Sequence, residues 1–62
     1  MDNRSLQAKV FEQVIAHFPD KAKSVKKLAE LLNLGENAVY RRMRGDTLLT
    51  LSELFKVSDH FN

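Results

Sequence analysis

The chain has no cysteine and no tryptophan, one proline, two glycines, and no run in which apolar and polar residues alternate with period two. Each absence removes a class of answer. Without cysteine there are neither disulfides nor thiolate metal sites, so 62 residues must hold together by packing alone. Without alternation, a half-buried sheet has no support. Near the N-terminus the longest apolar run is Val14-Ile15-Ala16, far short of the ~7–15 residues of a signal-peptide core or the ~20 of a membrane span. A soluble cytoplasmic protein with no membrane partner is expected. The chain also lacks a Gly-rich phosphate loop, a His-Glu helix motif and a serine in a nucleophile setting, so catalysis is not expected. Neither is a cofactor or small-molecule substrate, because a pocket would hollow out a core that so short a chain can scarcely fill. His17 and His60 stand far apart with no ligand spacing around them. They are read as helix-end or surface residues, with no metal site.

What is present is helical periodicity. Apolar residues recur at three- and four-residue spacings along the whole chain, which predicts an all-α fold. A first helix is expected over residues 4–18, with Asp2 or Asn3 as N-cap and Leu6, Val10, Phe11, Val14, Ile15 and Phe18 on its inward stripe. Pro19 ends it, since the residue before a proline is pushed out of the helical region. A second helix, about two turns long, is expected to open after Ser24 as N-cap and to carry Val25, Leu28, Ala29 and Leu32 inward. At the break Asn33-Leu34-Gly35, Asn33 suits a left-handed helix end and Gly35 an N-cap, with Leu34 plugging the angle between. The third helix is then Glu36 to Arg44, stopped by Gly45, with Val39 and Met43 inward. A fourth opens with the capping-box pattern Thr50-x-x-Glu53 and is expected to bury Leu51, Leu54, Phe55, Ser58 and Phe61. No repeat, linker or low-complexity segment divides residues 1–62. One compact four-helix domain is expected.

Charge is modest in total and uneven in distribution. The net value is +2, but residues 21–45 carry Lys21, Lys23, Lys26, Lys27, Arg41, Arg42 and Arg44 against Glu30 and Glu36, a local +5 that leaves −3 for the remainder. A basic centre in an otherwise acidic small domain suits a polyanion binder. The plainer reading of the lysines is a solvated helix face.

Residues 25–45, VKKLAELLNLGENAVYRRMRG, resemble the helix-turn-helix of the phage-repressor and Cro-like family of bacterial DNA-binding domains. Ala29 stands where that family keeps a small residue for close helix approach, Asn33 where it has a turn glycine, Leu34 and Val39 on its buried positions, and Gly45 on the glycine that ends the recognition helix. Leu49-Thr50-Leu51 resembles the start of its fourth helix, and the run AVYRRMRG is similar to regulators of Bacteroides-type bacteria. Two features depart from the pattern. Val25 stands where a phosphate-contacting glutamine is common, which hands that contact to Ser24 or Lys26. The family also continues into a fifth helix commonly used for dimerisation, so the chain is expected to be the N-terminal part of a longer regulator that forms a homodimer.

The resemblance implies a lambda-repressor-like domain that binds double-stranded DNA on the nucleoid and regulates transcription. Helix 36–44 would enter the major groove, with Glu36, Asn37, Tyr40 and Arg41 toward base edges: Arg41 to guanine, Asn37 to adenine, Glu36 to a cytosine amino group. Ser24, Lys26, Lys27, Arg42, Arg44 and Thr47 would hold phosphates, which fix register without reading sequence. Alternatives stand beside several of these. Tyr40 suits boundary packing as well as a base contact, Arg42 a surface pair with a carboxylate, and Glu36 the helix dipole. The competing reading for the whole chain is a protein-interaction module on the same helical fold.

Overall fold

The computed structural model describes residues 3–61, which form four helices and no strand: α1 Asn3–Ile15, α2 Lys21–Leu32, α3 Glu36–Arg44 and α4 Leu51–Phe61. The all-α, four-helix expectation holds. Helix α2 is the hub and packs on each of the other three, while α1 also meets α3. The radius of gyration is 10.5 Å, against ~10.6 Å for a compact chain of this length.

Among the described residues, seven buried apolar side chains come from all four helices: Phe11 and Val14 from α1, Val25, Leu28 and Leu32 from α2, Val39 from α3 and Val57 from α4. Leu28, Val25 and Val39 are wholly enclosed. Truncating one such side chain to alanine costs ~2–5 kcal/mol, comparable to the whole stability of ~3–9 kcal/mol expected for a chain this size. Every core position is therefore critical to folding.

Several local expectations need correction. Helix α1 ends at Ile15, because His17 and Phe18 bond back to Val14 and Ile15 in tight turns at 3.0 Å. Asn3 lies inside α1, so it is not the cap, and Asp2 falls outside the described residues. Leu6 is 49% exposed and its neighbour Gln7 takes the inward position, only 6% exposed.

Helix α2 starts four residues before Ser24 would have placed it. Asp20, extended at φ −151° and ψ 164°, caps it by accepting the Lys23 amide at 2.8 Å. Ser24 then falls in the second turn, fully buried, with its hydroxyl donating to the Lys21 carbonyl at 2.6 Å. An aspartate just after Pro19 supplies the cap that serine would have given, and the helix gains a turn.

In α4 the inward face is Val57 and the partly buried Phe61, not Leu51, Leu54 and Phe55. Leu51 is 70% and Phe55 67% exposed, and Ser58 is exposed as well. The helix has two apolar stripes, and the core takes the other one.

Candidate nucleic-acid interface

Two left-handed residues set the turns on either side of α3. Asn33 adopts φ 56° and ψ 48°, so its amide bonds to the Glu30 carbonyl at 3.3 Å and the Leu34 amide reaches back to Ala29 at 2.9 Å. This paired pattern closes the last turn of α2 and turns the chain sharply. Gly45, at φ 84°, ends α3 the same way: its amide bonds to Arg42 at 3.1 Å and that of Asp46 to Arg41 at 2.9 Å. Gly35 is the N-cap of α3 as expected, offering its carbonyl to the Ala38 and Val39 amides. Leu34 packs against the core between the two helices.

On α3 the inward residues are Val39, wholly buried, and Met43, which packs on the core. That leaves Asn37, Arg41 and Arg44, three and four residues apart, as one exposed stripe on the opposite side. Glu36 is exposed at the first turn, where its charge suits the positive end of the helix whatever else it meets. Tyr40 is half-buried against the core, and the Lys21 ammonium lies over its ring at 5.9 Å from the centroid. The packing alternative for Tyr40 is the one these contacts represent.

The three arginines of α3 have different surroundings. Arg41 projects into solvent, and no salt bridge holds it among the described residues. Arg44 is exposed and pairs with Asp46, Nε to Oδ2 at 3.0 Å, both side chains about 60% accessible; an exposed pair like this contributes little and exchanges readily with other partners. Arg42 faces inward. Its Nε and one terminal nitrogen donate to the two Glu53 oxygens at 3.0 Å each, and the other terminal nitrogen donates to the Ala38 carbonyl at 3.1 Å. With the two side chains 12% and 13% exposed, Arg42 ties α3 to α4. Its guanidinium is consumed internally, which corrects its assignment as a phosphate contact.

Glu53 is shared between that tie and the capping box. Its Oε1 also accepts the Thr50 amide at 2.9 Å, while its own amide donates to Thr50 Oγ1 at 3.1 Å. Burial raises the Glu53 pKa, but the Arg42 hydrogen bonds, the Thr50 amide and the charges of Arg42 and Lys56 together outweigh it, holding the carboxyl below its ordinary value.

The turn between α3 and α4 is fastened from α1. Gln7 Nε2 donates to the carbonyls of Arg42 at 2.7 Å and Thr47 at 2.9 Å, and its Oε1 accepts the Leu49 amide at 2.7 Å. One amide side chain thereby serves three backbone groups at the end of α3 and in the turn after it, and no buried side-chain polar atom lacks a partner among the described residues.

Among the expected phosphate contacts, Lys26 is exposed, Lys27 and Thr47 are half-buried, and Ser24 is enclosed with its hydroxyl committed to Lys21, which removes it from that set. Lys21 stands beside the stripe through Tyr40, although the sequence marked it only as part of a charge tally. Asp46 and Gln7 carried no motif; the one available hint was a glutamine four residues before Phe11, in phase with the core stripe.

Comparison with family models, with curated proteins and with solved structures yields no match to this chain.

Proposed function

We propose that this domain binds double-stranded DNA sequence-specifically, as a transcriptional regulator, by laying α3 into the major groove. The observation that carries the reading is the exposed Asn37, Arg41 and Arg44 stripe on a helix that follows the left-handed turn at Asn33 and is stopped by a second one at Gly45. A major groove admits one α-helix, and a rigidly held polar stripe is what it can read.

In this reading Arg41, unpaired on its own surface, presents a bidentate fork to guanine, and Asn37 offers donor and acceptor to adenine. Tyr40 and Glu36 border the same groove wall. Arg44 exchanges Asp46 for a phosphate, and Lys26 and Lys27 on α2 hold the neighbouring backbone with Thr47. Lys21 extends that basic surface past Tyr40. The regulator works in the bacterial cytoplasm on nucleoid DNA, and catalysis forms no part of its role.

Titration of fluorescent duplexes from a random pool tests this. Binding should weaken with salt, log affinity falling against log salt with a slope of about −0.9 per phosphate neutralised. Selection from the pool should return a short motif with a guanine opposite Arg41. Absence of binding to any duplex at low salt would sink the proposal and favour the protein-interaction reading.

A further inference from the structure

The basic stripe of α3 has a carboxylate set against its C-terminal edge. Asp46 Oδ2 lies 3.0 Å from Arg44 Nε, and among the described residues Arg44 is the one side-chain partner Asp46 has. The backbone fixes where that acid stands. Gly45 turns the chain at φ 84°, and the Asp46 amide then returns to the Arg41 carbonyl at 2.9 Å. Asp46 is thereby held beside the last turn of the helix that carries Asn37, Arg41 and Arg44.

Stability does not account for an acid at this position. The C-terminal end of a helix is its negative pole, where a cation is favourable and a carboxylate is not. The pair with Arg44 is open to solvent on both sides and adds little to the fold. The helix stop does not need the carboxylate either, since Gly45 supplies the left-handed turn and the bond to Arg41 comes from the Asp46 backbone. The neighbouring Arg42 has a partner of the opposite kind: Glu53 is mostly buried, takes two of its guanidinium bonds and also closes the Thr50 box. One acid ties helices together, and the other only occupies a cation.

We propose that Asp46 is an internal competitor for the DNA phosphate that Arg44 would hold, and that it lowers affinity for every duplex without altering which bases are preferred. The inference rests on the reading of α3 as a groove helix and adds to it a residue that works against binding. A phosphate that reaches Arg44 displaces the carboxylate, which then stands unpaired beside a polyanion. Both costs are the same on any sequence, because a backbone phosphate carries no sequence information. While the pair is intact, Arg41 is the one α3 arginine without a carboxylate partner. Binding therefore depends more heavily on Arg41 and Asn37, the side chains directed at base edges.

Asp46→Asn in the 62-residue chain tests this by titration against a selected duplex and a scrambled one. Both should be bound about fivefold more tightly, the upper range for release of an exposed ion pair. The slope of log affinity against log salt should steepen by about 0.9, one further phosphate neutralised. The gain should be clearly smaller when both chains compared carry Arg44→Ala, since no guanidinium is then left to release. The urea midpoint should stay level or rise slightly, because the acid leaves the negative end of the helix. Unchanged or weaker binding by Asp46→Asn overturns the inference; weaker binding would make Asp46 an aid that orients Arg44. Equal gains with and without Arg44 overturn it as well, being repulsion at a distance, and so does an altered base preference. In the DNA-free chain the Arg44 Nε proton should exchange with solvent more slowly than that of Arg41. If that difference is seen while the parent binds no duplex at low salt, it is the groove reading that fails, and the competitor falls with it.

Discussion

Helices α3 and α4 both carry a glutamate in the first turn and a basic side chain in the last, yet α3 turns Asn37, Arg41 and Arg44 to solvent whereas α4 turns Leu51 and Phe55 there. Their inner faces are alike in kind, each giving the core one wholly or nearly enclosed valine, Val39 or Val57. The difference therefore lies in what each helix was left free to present once its share of the core was met. A charged outer face invites a polyanion and is screened by salt. An apolar outer face invites another apolar surface, and salt does not weaken that attraction. Two kinds of outer surface are thus separated onto two helices of one small domain.

The largest expected effect comes from cutting the link between those helices. Glu53→Ala strands the mostly buried Arg42 guanidinium and removes half of the capping box, and should destabilise the fold by about 2–3 kcal/mol, read as a lower urea midpoint. The same carboxylate gives a pH signature. Its folded pKa lies below the unfolded value, so its stabilisation is present above the unfolded pKa and is lost as pH falls through the folded one. The midpoint should drop on acidification in that window, and Glu53→Gln should flatten the dependence. A Glu53→Ala chain as stable as the parent would mean that α3 and α4 are not coupled in this way.

Next in size is the contrast between Arg41 and Arg44. Arg41→Ala should relax preference at one base position by ~1–3 kcal/mol while Arg44→Ala weakens all duplexes alike, measured by competition between selected and scrambled sites. Equal losses on every sequence for both variants would take Arg41 out of the reading set. Neither change should alter the unfolding free energy from urea titration by more than ~0.5 kcal/mol, because both side chains are exposed.

The two glycines sharpen the comparison at the smallest scale. Gly45→Ala should cost ~1 kcal/mol, since φ is 84° and a Cβ is disfavoured there although Arg4 leaves it room at 3.9 Å. Gly35→Ser should instead stabilise by about 0.5 kcal/mol: φ is −73°, a Cβ there meets nothing within 4 Å, and a hydroxyl could cap the helix. Thermal melts of the two variants should move in opposite directions.

How far the sequence revealed these features depended on the range of the interactions behind them. The bounds of α3, the left-handed Asn33, the stop at Gly45 and the Thr50 and Glu53 box were all legible, because each is decided by residues within one or two turns. Phe11 and Val14 were legible on the inward stripe of α1, but its first turn was not. Leu6 is the natural inward residue by hydropathy, and Gln7 displaces it through hydrogen bonds to groups 35 to 42 positions away. In α4 both apolar stripes have helical spacing, so periodicity alone cannot choose between them, and packing against α2 decides for Val57. Arg42 shows the same limit within the candidate site. It sits next to Arg41, and its inward direction is fixed by a carboxylate eleven residues on.

The Gln7 clamp has a dynamic consequence. Leu49 lies in no helix, and amides in such turns ordinarily exchange with solvent deuterium through small local openings. Here its acceptor is a side chain of α1, so releasing the proton requires α1 to part from the turn between α3 and α4. The Leu49 amide should therefore exchange as slowly as amides in the middle of α2, through global unfolding, and act as a slow-exchange reporter set in an otherwise fast segment.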